Sequence, residues 1–185
     1  MFQSAENHTF GTRAREVLAT MAMMWFGMLL VVAFFKAVGL ASIHFTTNTP
    51  LLGVSVNWWL HSQNITLGQA LTSPFTVMQL LVIMFGAPFL EEVLFRGLVC
   101  NLASDDRGKL RPRGVMMVLA GSFILFGFVH GYGYFSIMLQ GVGGLLLARL
   151  WFRNGPSQKA SYFSCVSAHS LYNISVVLVA WIFGS

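Results

Sequence analysis

Charge is what this sequence has least of. Eleven Lys or Arg and six Asp or Glu make up 9% of 185 residues, against roughly 25% in a soluble domain. Aspartate occurs only at the adjacent pair Asp105 and Asp106. A dyad of aspartates facing one another from two apolar segments is therefore unavailable. Cysteine occurs only at Cys100 and Cys165, too few for a disulfide-stapled secreted fold. What fills the chain instead is apolar: 56% hydrophobic residues and 17 Phe. A soluble domain of this size could not hide that surface, and a disordered chain would not contain it. A spanning helix uses about 20 apolar residues. The composition thus predicts an all-α, polytopic transmembrane helical bundle of about five spans. The net charge of +5 is small and scattered, which argues against a nucleic-acid partner.

The apolar runs place spans at 17–40, 75–100, 115–129, 135–151 and 162–183. Residues 1–16 read as a tail and 17–185 as one membrane-embedded domain. The stretch 42–73 has no Asp, Glu, Lys or Arg but carries Trp58 and Trp59, as expected for a loop or re-entrant element at an interface. Basic residues alternate with the spans. Arg13 and Arg15 precede the first, Arg107, Lys109, Arg111 and Arg113 separate the second and third, and Arg149, Arg153 and Lys159 flank the fourth connection. By the positive-inside rule the N-terminus is cytoplasmic and the C-terminus lies outside. The first span is long for a signal peptide, and no clear cleavage site follows it.

Ionisable residues inside a span are costly, and they point to function by default. The second span holds Glu91, Glu92 and Arg96 within six residues. On a helix Glu92 and Arg96 share a face and can pair. Glu91 points about 100° away, leaving a carboxylate free to act as a base. The competing reading is that all three form a structural clasp between helices. Two further spans contribute polar groups: His130 follows Phe126 by four residues, and Asn173 follows His169 by four. A carboxylate, two imidazoles and an amide are the parts needed to hold and deprotonate a water and to donate to an oxyanion.

The order Glu91-Glu92-x-x-x-Arg96, Phe126-x-x-x-His130, His169-x-x-x-Asn173 resembles the three-motif signature of the CAAX-protease and bacteriocin-processing (Abi) family of intramembrane endopeptidases. The resemblance covers a core of about 75–180. It implies Glu91 as general base acting with His130, His169 and Asn173 as the oxyanion hole, and Glu92, Arg96 and Phe126 as support. It implies a peptide or membrane-associated protein substrate, in a multi-pass protein of a bacterial plasma membrane. The substrate could be a prenylated C-terminal peptide, a peptide pheromone or a bacteriocin precursor. Family members have been described as metalloproteases. A zinc site here would use Glu91, His130 and His169, but Asn173 is a poor zinc ligand and no His-Glu-x-x-His occurs, so the favoured reading has no cofactor.

Two other functions fit the same residues. A proton-coupled transporter would use Glu91 or Glu92 and be indifferent to His169 and Asn173. A non-catalytic binding protein, such as a bacteriocin-immunity factor, would tolerate loss of Glu91. No convincing serine-nucleophile motif is seen, although Ser164, Ser167 and Ser170 lie near His169. One expectation is awkward. Straight helices put Glu91 about 15 Å and His130 about 25 Å from the cytoplasmic ends, too far apart for partners. Tilt, a kink near Gly86 and Pro88, or an earlier start of the third helix would have to close that gap.

Overall fold

The computed structural model describes residues 9–38, 72–103, 112–130, 133–154 and 159–183. The interfacial reading of 42–73 falls almost wholly outside these residues. Five helical rods account for the described chain: α1 (Phe10–Ala37), α2 (Pro74–Ala103), α3 (Pro112–Val129), α4 (Gly133–Arg153) and α5 (Lys159–Phe183). Helix α1 begins earlier than the apolar run suggests, so Arg13, Arg15 and Glu16 ride on its first turns rather than in a tail. Thr9 caps it, with Oγ1 accepting from Thr12 N at 3.3 Å. Ser73 caps α2 in the same way, and Pro74 takes the first helical position, where no N–H is needed.

Four of the rods, α1, α2, α3 and α5, are long and apolar enough to cross a membrane. The exception, α4, is diluted by Ser136, Gln140 and four glycines. Its position explains why it can be. It packs against α1, α3 and α5, and Leu147, Ala148, Leu150, Trp151 and Phe152 lie in the main apolar cluster. A helix enclosed by other helices meets little lipid and needs less hydropathy. The outer helices show the converse pattern: Phe26, Leu30, Met78, Phe89, Met117 and Phe128 are all exposed. Exposed apolar side chains on this scale suit a lipid solvent and not water.

Backbone contact between α3 and α4 is built from glycine. A Cβ on Gly127 would stand 2.5 Å from Ile137 Cα, and one on Gly141 would stand 2.6 Å from Phe123 O. A Cβ on Gly144 would collide with the Ser122 carbonyl. Small residues give van der Waals contact where lipid offers no hydrophobic drive. Gly144→Val is therefore expected to separate α3 from α4 and abolish the cooperative thermal transition in detergent. Gly86→Ala, whose Cβ would meet Val82 at an ordinary 3.7 Å, should melt within a few degrees of wild type.

Helix α2 is not a regular rod. Val82–Gly86 and Val93–Leu98 are wound as π-helix, on either side of the α-helical turn Ala87–Glu92. Such insertions turn the following residues to a new face and recur at functional sites. Helix α2 packs on α3 through its last turns and on α5 through its middle.

Candidate active site

The three polar groups picked out by spacing meet in one place. Helices α2 and α3 run antiparallel, with Ala103 against Gly114 and the Phe95 ring 5.4 Å from Phe126. From that shared level Glu91 is twelve residues up α2 and His130 sixteen up α3, a residual offset of about 6 Å at the α-helical rise. Side-chain direction closes it. Helical side chains lean toward the N-terminus of their own helix. On antiparallel helices Glu91 therefore leans up and His130 leans down. His130 Nε2 comes to 3.8 Å from Glu91 Oε2, and His169 Nε2, from α5, to 3.7 Å from the same oxygen.

The outer nitrogens of both imidazoles are committed. His130 Nδ1 lies 2.6 Å from the Phe126 carbonyl, which can only accept, so Nδ1 carries a hydrogen. His169 Nδ1 lies 3.0 Å from Glu92 Oε1 and donates to that carboxylate. With neutral rings, both Nε2 atoms present lone pairs to Glu91 Oε2, itself buried and without a hydrogen bond among the described residues. Three acceptors thus converge on one small space. They repel one another unless a hydrogen-bond donor or a cation lies between them.

Glu92 and Arg96 form the ion pair that their spacing suggests. Both side chains are fully buried, with Arg96 Nη1 3.2 Å from Glu92 Oε1. The pair is electrostatic rather than a well-aligned hydrogen bond at Nη1. Arg96 also donates from Nη2 to the Gly144 carbonyl at 3.1 Å, and its guanidinium sits 4.7 Å above the Phe126 ring. Phe126, 1% exposed, is the common wall of the site, with its ring 4.6 Å from that of His130 and 5.5 Å from that of His169. The chain of contacts Arg96–Glu92–His169–Glu91 ties α2 to α5, and the Gly144 bond ties it to α4. Both ring nitrogens of His169 face glutamates, so this histidine is not placed to activate Ser164, Ser167 or Ser170.

Asn173 lies one turn beyond His169, and its Nδ2 donates to Ile83 O at 3.0 Å. The π-helical turn explains why that carbonyl is free. Ala87 N bonds to Val82 O, one residue further back than in an α-helix. The next donor that could reach Ile83 O would come from Pro88, which has no N–H. Asn173 supplies the missing donor and keeps one amide hydrogen in reserve. This link was not visible in the spacing. Proline five residues after a carbonyl in a membrane helix is the signal that could have exposed it. Asn173→Leu should orphan Ile83 O at a cost of about 1–3 kcal/mol, read as a lower melting temperature in detergent.

Glu91, His130 and His169 are the residue types of a catalytic zinc site. As placed, however, the carboxylate oxygen is 3.7–3.8 Å from each nitrogen. Ligand edges around a tetrahedral zinc with bonds of about 2.0–2.1 Å are about 3.3 Å. Among the described residues no group of three His, Cys, Asp or Glu is arranged to hold a metal ion.

An all-helical bundle with four membrane-crossing helices, enclosing two glutamates, an arginine and two histidines, defines an integral membrane protein with a polar site at membrane depth. The family model of the type II CAAX prenyl endopeptidases (Rce1-like) matches residues 73–175, more than half of the chain and all of the site residues. The chain belongs to that family, which is one of proteases. No curated protein and no solved structure matches it.

Proposed function

We propose that this chain is an intramembrane endopeptidase of the CAAX prenyl type, in which a glutamate activates the attacking water without a metal. The observation that carries the reading is the approach of two further acceptors, His130 Nε2 and His169 Nε2, to 3.8 and 3.7 Å from Glu91 Oε2. A water fits that triangle chemically: its two hydrogens satisfy two of the acceptors, and an oxygen lone pair is left for a substrate carbonyl. As the oxygen attacks the scissile carbonyl carbon, its proton passes to Glu91 with His130 as the second acceptor. The carbonyl oxygen becomes an oxyanion, and the spare amide hydrogen of Asn173 is the donor for it. Collapse breaks the C–N bond, and the proton held at Glu91 or His130 goes to the leaving amine.

His169 acts differently from the simplest reading of the motif. With Nδ1 donating to Glu92, a neutral His169 has no hydrogen on Nε2 to offer an oxyanion. It orients the water and Glu91 instead. Oxyanion donation then falls mainly to Asn173. On this reading the basic ends of α3, α4 and α5 face the cytoplasm, which gives a cytoplasmic N-terminus in a bacterial-type plasma membrane and a scissile bond inside the bilayer, about 20 Å from those ends.

The test is cleavage of a prenylated CAAX peptide by purified protein with and without a strong zinc chelator. Activity should persist within about twofold under chelation. Loss on chelation with recovery on added zinc would replace this mechanism with a metal one through Glu91, His130 and His169.

A further inference from the structure

A cavity lies away from Glu91 and Glu92. It encloses about 230 Å³ between the first turns of α1 and the last turns of α4, and it shares no residue with the candidate active site. Its lining carries three arginines, Arg15, Arg149 and Arg153, against one acid, Glu16. The acid is already engaged: Arg153 Nε is 3.1 Å from Glu16 Oε1, and Asn154 Nδ2 donates to Glu16 Oε2 at 3.2 Å. Arg149 is differently placed. Among the described residues its guanidinium donates from Nη1 to the Met23 thioether at 3.4 Å, a weak acceptor for so strong a donor. Arg15 and Arg149 stand exposed at the rim, with Thr20 and Leu150 buried at the floor. Thr12 and Thr20 add hydroxyl donors. Guanidinium forks with hydroxyls beside them match the oxygens of a phosphate diester.

The position selects a lipid as the source of that phosphate. Arginines at the ends of membrane-crossing helices sit at the depth of the headgroups. The wall formed by Glu16, Ala19, Thr20 and Met23 continues along α1, one and two turns further into the apolar segment, as Phe26 and Leu30. Both are exposed, at 63% and 54%. They offer an apolar track for an acyl chain directly below a basic headgroup pocket, which a free phosphate would not use. We propose that the α1–α4 cavity binds the headgroup of an anionic phospholipid, with Arg15 and Arg149 on its phosphate and the Phe26–Leu30 face along its acyl chain.

The intact protein, purified in mild detergent, would be loaded with phosphatidylglycerol or phosphatidylcholine and examined by native mass spectrometry. Preferential retention of phosphatidylglycerol is expected. Each arginine near a headgroup is worth on the order of fivefold in lipid affinity, so Arg15→Gln/Arg149→Gln should weaken retention on the order of twentyfold. Arg113→Gln, an exposed arginine at the start of α3, should leave it unchanged. Equal retention of the two lipids would overturn the proposal, as would full retention by the double variant. Displacement of phosphatidylglycerol by millimolar inorganic phosphate would also overturn it, in favour of a free-anion site. Should the double variant not fold, the two-lipid comparison and the phosphate competition on the wild-type protein decide the matter.

Discussion

Glu91→Gln is expected to cut turnover of a prenylated CAAX peptide by about 10²–10⁴-fold, the usual contribution of a general base, while leaving the protein folded. The stability half of this expectation follows from the site. Among the described residues Glu91 Oε2 has no hydrogen bond to lose, and two imidazole nitrogens stand 3.7 and 3.8 Å from it. A glutamine has the same shape and brings an NH₂ that can donate to those nitrogens. The variant should therefore melt at or above the wild-type temperature. Higher stability with lost turnover is the pattern of a site that stores unfavourable contacts for chemistry. Thermal unfolding in detergent and initial cleavage rates, measured on one preparation, check both halves. Cleavage within tenfold of wild type by a folded Glu91→Gln protein would remove Glu91 from the role of base. The transport and immunity readings would then regain their weight.

Much of the site was legible because helical periodicity is a strong constraint inside a membrane. Glu92 and Arg96 were paired by their separation of four, and they are paired in space. Helix α4 was legible as a helix but not as the enclosed one, since apolar content alone cannot tell a lipid-facing helix from one surrounded by protein. The depths of Glu91 and His130 were misread because counting residues locates Cα atoms, whereas side chains on antiparallel helices lean toward each other by several ångströms. The π-helical turns of α2 were not legible at all. The first, Val82–Gly86, goes with how Pro88 and Asn173 divide the backbone bonds, and those two residues lie 85 positions apart. The backbone contact through Gly144 was equally hidden, because only the partner chain segment, at Ser122, shows why a side chain is forbidden there.

Arg96→Met is expected to be the most destabilising of the conservative changes at the site, by about 3–5 kcal/mol, because it leaves Glu92 charged and fully buried without its cation. Three contacts go together: the ion pair at 3.2 Å, the bond to Gly144 O at 3.1 Å and the stacking over Phe126. Glu92→Gln should cost less, since its amide oxygen can still accept from His169 Nδ1. Glu92→Gln/Arg96→Met removes both charges and should recover most of the stability lost in Arg96→Met. A positive coupling of about 2 kcal/mol or more is then expected from the double-mutant cycle. Unfolding of the four proteins in one detergent supplies the cycle, and cleavage rates on the same samples separate clasp from chemistry. If the double variant regains stability and also regains turnover, Glu92 and Arg96 only hold α2 against α4 and α5. Regained stability with turnover still depressed would mean that the Glu92 carboxylate itself is needed to set His169, whose other nitrogen faces Glu91. The geometry favours the second outcome, because the 3.0 Å contact from Glu92 is what turns His169 Nε2 toward the reacting oxygen. If Arg96→Met melts no lower than Arg113→Met, whose arginine is exposed, the buried ion pair contributes nothing to the fold and this account of the bundle fails.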